Sequence, residues 1–382
     1  MRIALVHRDL HQITRGGICT LYRDLAEHLV QAGNEVVLLT QDTPHPVSGP
    51  GLTVVTLPRT EDMSVHRAAV ARAIDLFAPD VAECSTWQAE LLTYAQQQPS
   101  RRVPVLVRGD LSAHTMGADQ LAADERRICG RADAVVAVSE FAADDLAAAY
   151  RIARPTVIAN GVDRTRFTPH GHTRPGSGWQ VQLGRSGTVT ARRPLTEALD
   201  DPQWARFFAA GAERLPLLVW VGKFTEMKGF DRLSRIAARL AGQARLMIVL
   251  GHGQVHYPVD LPDDVLVCQD LDPSDVPAVY RAADYLLSTS RWEGYGLAIA
   301  EALACGTPAL LPADLGVAAE LLTPGVTGQV WADEAALLDL LDTRPPLTGG
   351  LPARYTWQAN ARATLAIYQA LLDKVSTSRV DR

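Results

Sequence analysis

Lysine is nearly missing from this chain. Its 382 residues include 37 basic side chains, but only Lys223, Lys228 and Lys374 are lysines, and 37 − 3 leaves 34 arginines. Two of the three fall in one glycine-bearing loop, Gly222–Gly229, where a solvated loop charge is the plain alternative to a functional one. A compact ammonium retained against so strong an arginine bias marks that loop as a candidate anion site. No apolar run approaches the ~18 residues of a membrane span. The opening MRIALVHRD turns polar too early for a secretory h-region. There is no long basic run and the formal net charge is −6, which argues against nucleic acid and against anionic lipid as partners. Five cysteines, Cys19, Cys84, Cys129, Cys268 and Cys305, are odd in number and never spaced Cys-x-x-Cys. They read as small buried side chains of a cytoplasmic protein rather than as bridges or metal ligands.

What the chain does have is enough core for two domains: 47% hydrophobic and 21% charged residues. Strand-like and helix-like segments alternate from Arg2 to about Ala159 and again from Leu217 to Leu341. The spacing predicts parallel sheets covered by helices on both faces. The domain exit is read at Asn160-Gly161-Val162-Asp163. This gives an N-terminal domain over residues 1–165, a linker or insertion over 166–215 with one short helix near Pro202 to Ala210, and a second domain over 216–355. A long helix, 357–374, crosses back to the first domain, followed by a polar, frayed tail from Val375.

The densest stretch is Ser288–Thr307, STSRWEGYGLAIAEALACGT. Gly294 and Gly296 allow close backbone approach to a ligand. The helix that starts beside them offers unpaired N–H groups suited to a diphosphate. Glu293 and Glu301 suit hydroxyls instead, because carboxylates accept their hydrogen bonds. A phosphate cradle flanked by two hydroxyl-binding acids is the outline of a nucleotide-sugar pocket. The glycine pairs Gly16-Gly17 and Gly251-His252-Gly253 would be weak signals alone.

Taken together, Gly16-Gly17, Asn160-Gly161-Val162-Asp163 with Phe167, Val221-Gly222-Lys223, Lys228-Gly229, Gly251-His252-Gly253 and Glu293-Gly-Tyr-Gly-Leu with Glu301 resemble family-four retaining glycosyltransferases of the GT-B fold. The resemblance implies an α/β architecture of two Rossmann-like doubly wound domains facing across a cleft. It implies that Lys223 (where the family usually has Arg) and Lys228 neutralise a donor diphosphate, with Gly251 in the same donor site. Glu301 would hold ribose hydroxyls and Glu293 the sugar. The amides of Tyr295, Gly296 and Leu297 would meet phosphate or sugar, and Gly16 and Gly17 would admit the diphosphate. No metal or other cofactor is expected, because charge and amide dipoles can stabilise the leaving group and no Asp-x-Asp motif stands beside these loops.

The acceptor side is less plainly written. Many relatives place a histidine after the strand ending at Val107. Here the loop offers Arg108, Gly109, Asp110 and, later, His114. Asp110 or His114 is expected to orient or deprotonate the acceptor, with Arg108, His11 and His7 as further acceptor-side candidates. From Met1 to Asn160 there are 15 Arg, no Lys and 19 Asp plus Glu, so 15 − 19 gives −4. That charge suits a soluble natural product, cationic ones included, better than an anionic lipid. The function expected is hexose or amino-sugar transfer from a UDP-linked donor to a hydroxyl. The alternatives are transfer to a polysaccharide or lipid precursor, an epimerase, and a nucleotide-sugar-binding pseudoenzyme, the last opposed by the intact Lys223, Lys228, Glu293 and Glu301.

Overall fold

The computed structural model describes residues 1–12, 16–98, 102–170, 180–182, 192–194, 207, 214–251, 261–269, 271 and 273–380. The chain divides into two compact units, Met1–Gly161 with Arg354–Arg382 and Val162–Ala353. The crossovers therefore lie at 161/162 and 353/354, against 165/166 and 355 read from the sequence. The Cβ that Gly161 lacks would lie 2.2 Å from the Trp357 amide nitrogen. The two chain crossings thus pack together inside the first unit where only glycine fits.

Among the described residues, unit 1 holds a seven-stranded sheet in the order β3-β2-β1-β4-β5-β6-β7. Its strands are β1 Arg2–Val6, β2 Glu35–Gln41, β3 Leu52–Leu57, β4 Val81–Ser85, β5 Val105–Gly109, β6 Ala134–Ala137 and β7 Thr156–Val157. Every pairing is parallel. Ile3 to Val6 are wholly buried, the unbroken apolar run of a strand covered on both faces. Helices α1 (Gly17–Gln31), α2 (Met63–Phe77), α3 (Leu92–Ala95), α4 (Asp119–Cys129) and α5 (Glu140–Tyr150) connect the strands. On α1, Leu21, Leu25 and Leu29 form the buried stripe, and Gly33 at φ +82° ends it.

The C-terminal helix, Trp357–Val380, belongs to this unit. Its Ala361, Tyr368 and Leu371 share one core with Ile3, Tyr22 and Leu25. Beneath them lies a buried polar knot. Arg108 Nε donates to Glu83 Oε1 at 2.7 Å and its Nη2 to Thr364 Oγ1 at 2.9 Å. Tyr368 donates to Glu83 Oε2 at 2.5 Å. The helix runs to Val380, past the frayed end expected from Val375, because residues 354–374 are already anchored and carry it on.

Among the described residues, unit 2 holds a six-stranded parallel sheet in the order β12-β11-β10-β13-β14-β15. Before it comes a short antiparallel pair, β8 Gln180–Gln182 with β9 Arg192–Pro194. The strands of the sheet are β10 Leu217–Gly222, β11 Arg245–Leu250, β12 Leu266–Gln269, β13 Tyr285–Leu287, β14 Ala309–Pro312 and β15 Gly328–Trp331. Helices α6 (Phe230–Arg239), α7 (Val276–Ala282), α8 (Leu297–Ala304), α9 (Ala318–Leu321) and α10 (Glu334–Thr343) cover it. The core gathers Trp220, Leu233, Ile248 and Leu287. The helix expected near Pro202 to Ala210 lies, Phe207 excepted, outside the described residues. Among them, no helix is long and apolar enough to cross a membrane.

Candidate functional site

In a doubly wound sheet, ligands bind beyond the strand C-termini where the strand order reverses. In unit 2 the reversal lies between β10 and β13. The loops leaving these strands, 223–229 and 288–296, carry the densest group of candidate residues.

The two loops are strapped together by backbone as well as side chains. Gly229 starts α6 at φ +62°, and a Cβ there would lie 2.0 Å from the Thr289 carbonyl oxygen. Thr289 is fully buried. Its hydroxyl receives the Trp220 indole N–H at 3.0 Å and donates to the Lys228 carbonyl at 2.8 Å. The Arg291 amide donates to the Met227 carbonyl at 2.9 Å. Its guanidinium takes Asp231 in a fork at 2.7 and 2.8 Å. That bond lowers the Asp231 carboxyl below its usual range.

This strapping sets Lys228 against Glu293. Lys228 Nζ lies 2.5 Å from Glu293 Oε1, with 19% and 11% of the two side chains exposed. The Ser290 hydroxyl donates to the same oxygen at 2.7 Å. The residue types suggested separate duties for the two; the fold makes them a pair. Lys223 is half-buried and lies along Gly251, whose missing Cβ would meet the lysine chain at 3.4 Å. The Gly251 amide donates to the Gly222 carbonyl at 2.9 Å. His252 and Gly253 are outside the described residues.

Gly294, Tyr295 and Gly296 are buried. Gly296 caps α8 at φ +83°, with no side-chain cap and no acid in the helix's first turn. Leu297 opens the helix, half-buried. Glu301, one turn further, accepts the Tyr280 hydroxyl at 3.2 Å. Burial, then the Glu301 charge, pushes that phenol well up. A cation, two carboxylates and an uncapped helix start are thus gathered at one reversal point.

Unit 1 has its own reversal, between β1 and β4. Gly16 and Gly17 are exposed there at the start of α1, and a Cβ on Gly16 would meet nothing within 4 Å. Arg15 is outside the described residues. His7, at the end of β1, is 8% exposed. Its ring stacks on Tyr22 with centroids 6.2 Å apart. Glu90, fully buried, lies 3.7 Å from His7 Nδ1 and 3.3 Å from His66 Nε2, and accepts the Arg8 amide at 2.7 Å. Burial raises the Glu90 carboxyl, but the bonds and charges of His66 and His7 outweigh it and hold it at about 2. Glu90 and His66 carry no sequence signal, since their partners lie far along the chain.

Two of the acceptor-side candidates are buried. β5 continues to Gly109, so Arg108 is a strand residue, 1% exposed and committed to Glu83 and Thr364. His11 is 2% exposed, in a backbone bridge to Pro46, with its amide on Cys19 Sγ at 3.4 Å.

Asp110 is half-buried and His114 exposed, on a loop fixed from behind. Asp145 accepts the Ser112 amide at 2.7 Å and the Thr115 hydroxyl at 2.5 Å. Glu125 accepts the Ala113 amide at 3.0 Å and the Tyr150 hydroxyl. Burial pushes the Glu125 carboxyl up to about 7; hydrogen bonds oppose this, and the Asp145 and Asp110 charges add to it.

Comparison with known proteins matches residues 15–166 to the model described as Glycosyltransferase Family 4, and residues 203–342 to Glycosyl transferases group 1. The chain is 28% identical to a D-inositol 3-phosphate glycosyltransferase of Xylanimonas cellulosilytica over 64% of its own length, spanning 58% of that relative. It is 26% identical to a GDP-mannose-dependent alpha-mannosyltransferase of Mycolicibacterium smegmatis, over 86% of this chain and 84% of that one. Among solved structures, sucrose-phosphate synthase from Thermosynechococcus elongatus superposes with a TM-score of 0.68 at 19% identity, covering 100% of this chain and 98% of that one.

Proposed function

Because the chain belongs to the family-four glycosyltransferases of the GT-B fold, we propose that it moves a hexose or amino sugar from a nucleoside-diphosphate sugar to a hydroxyl of a soluble small-molecule acceptor, with retention and without a metal ion. A UDP-linked donor is the first to test and a GDP-linked one the second. Five free, buried cysteines suit a reducing compartment, the cytoplasm.

The observation that carries the reading is the contact between Lys228 and Glu293. In this reading the ammonium serves the diphosphate and the carboxylate, one hydrogen bond away, the sugar hydroxyls. An ammonium has three N–H donors; one serves Glu293, leaving two for phosphate oxygens. Lys223 adds a second compact charge, and the amides at the start of α8 add their dipoles. Charge building on the leaving diphosphate is met by groups already in place, so no reorganisation is needed at the moment of bond breaking. Glu301 is assigned to the ribose hydroxyls, with Tyr280 fixing its carboxylate. Gly16 and Gly17 are assigned to close approach of the diphosphate, and Asp110 or His114 to the acceptor hydroxyl.

A panel of UDP-, GDP- and dTDP-sugars, read first by thermal stabilisation, identifies the donor. Ligand at a hundred times its Kd stabilises by about 2.7 kcal/mol. With that donor, Lys228→Ala and Glu293→Ala are each expected to lower transfer roughly 10²–10³-fold. Some stability is lost as well, because each replacement strips a mostly buried partner, so transfer is measured where the variant is fully folded. Transfer at the wild-type rate in either variant refutes the assignment.

A further inference from the structure

The two oxygens of Glu293 are used unequally. Oε1 lies 2.5 Å from Lys228 Nζ and accepts the Ser290 hydroxyl at 2.7 Å. Oε2 accepts no hydrogen bond from a described residue, and it is not among the buried atoms left without a partner. An ionised carboxylate offers about four lone-pair sites, two on each oxygen. Those of Oε1 are taken, and those of Oε2 stand open. The carboxylate is fastened by one edge and presented by the other.

The two fastenings differ in kind. Lys228 has a long, flexible stem and is 19% exposed at its side chain. Its charge makes strong bonds to carboxylate and phosphate alike. Ser290 is 3% exposed, turns about a single side-chain bond, and has one O–H to give. Its backbone is braced on both sides. Before it, the Thr289 hydroxyl sits between the Trp220 indole and the Lys228 carbonyl. After it, Arg291 is tied to the Met227 carbonyl and to Asp231. The Ser290 amide donates to Ser288 Oγ at 3.3 Å, and the Ser288 amide to the Leu310 carbonyl of β14 at 3.0 Å. The hydroxyl is thus set by the sheet, three residues ahead of the acid it serves.

Resting on the nucleotide-sugar reading, we propose that Ser290 is a positioning residue for the donor sugar. It holds Glu293 Oε1 while Lys228 turns to the diphosphate, so that Oε2 faces a sugar hydroxyl. A diphosphate competes with Glu293 for the ammonium, and the lysine tie loosens as that charge is shared. Ser290 cannot follow the phosphate, because its one proton is already given to Oε1. Without it, Glu293 would be tied only through a lysine drawn toward phosphate, beside a like charge that repels it. Ser290 therefore acts on the sugar through Glu293 and leaves the nucleotide alone.

The test is calorimetric titration of the full chain with UDP-glucose, UDP-N-acetylglucosamine and GDP-mannose, each set against bare UDP or GDP. The wild type is expected to bind at least one of the sugar nucleotides. Ser290→Ala should weaken that binding about tenfold, as for a lost hydrogen bond to a charged group, and leave bare UDP or GDP unchanged. A merely structural role would loosen the whole loop and weaken both. In a Glu293→Ala background, Ser290→Ala should cost nothing further for the sugar nucleotide, since the residue it acts through is gone. The role is overturned if Ser290→Ala binds the sugar nucleotide like wild type, if bare nucleotide weakens as much, or if the replacement costs as much with Glu293 absent. Any of these, with nucleotides still bound by the wild type, rejects the role of Ser290 and leaves the donor reading standing. If the wild type binds none of these nucleotides, the donor reading falls and the role of Ser290 with it.

Discussion

The two units share one architecture and treat their carboxylates in opposite ways. At the β10/β13 reversal the acid keeps a small opening to solvent: Glu293 is 11% exposed at its side chain and paired with a lysine that is itself 19% exposed. At the β1/β4 reversal Glu90 is wholly buried between two imidazoles, and Glu83 and Glu125 are buried nearby. An ion pair that keeps an opening to solvent can be shared with a ligand. A buried acid is costly to strip of its partners. The difference separates a reversal point built to exchange partners from one built to stay rigid.

That contrast can be broken most directly at Glu90. Glu90→Ala leaves the Arg8 amide without its acceptor and takes the carboxylate from beside two buried imidazoles, and should cost about 3–5 kcal/mol in chemical denaturation, more than the donor-side replacements of Lys228 or Glu293. An equal cost at both places would end the comparison.

Next in size is the effect of Glu125. Its folded-state value of about 7 stands above the ordinary 4.5, so ionisation is harder in the folded protein. The stability it contributes is complete below about pH 4.5 and is lost as pH rises through 7, a span worth about 3 kcal/mol. Thermal melts from pH 4 to 8 should show that fall in the wild type and a flatter profile in Glu125→Gln, whose amide oxygen still accepts the Ala113 N–H. Matching profiles would show that burial does not govern this acid. Glu90, lowered to about 2, acts in the other direction, its contribution being present above about pH 4.5 and lost on acidification toward 2.

The smallest effect tests the strap in unit 2. Gly229→Ala drives a Cβ into the Thr289 carbonyl, and a denaturation midpoint should report about 1–3 kcal/mol lost. Transfer should fall further than stability, since Lys228 shares the displaced backbone. A stable variant with full activity would show that the two loops need not be strapped.

The residues proposed for the donor half could be picked out of the sequence because they are local. Lys223, Lys228, Gly229, Glu293, Gly296 and Glu301 lie on two short loops and a helix start, where glycine and charge announce themselves. The partnership of Lys228 with Glu293 spans 65 residues, so each residue was readable and the bond was not. On the acceptor side the informative contacts are longer and the residues ordinary. Glu90 and His66 follow no spacing rule, and their meaning comes from the meeting of β1 and β4. Arg108 was read as a loop residue, whereas β5 runs on through Gly109, where a Cβ would press on the Leu146 side chain at 2.0 Å.

The C-terminal helix also dictates an order of events during synthesis. Arg108 and Thr364 are 256 residues apart, and Glu83 and Tyr368 are 285 apart. Val162–Ala353 is contiguous and has all its residues once position 353 has left the ribosome. The first unit, although it emerges earlier, must wait with Glu83 and Arg108 short of partners until the helix beginning at Trp357 arrives. Nascent chains usually complete their N-terminal domain first; here the first unit to be translated is the last to be finished.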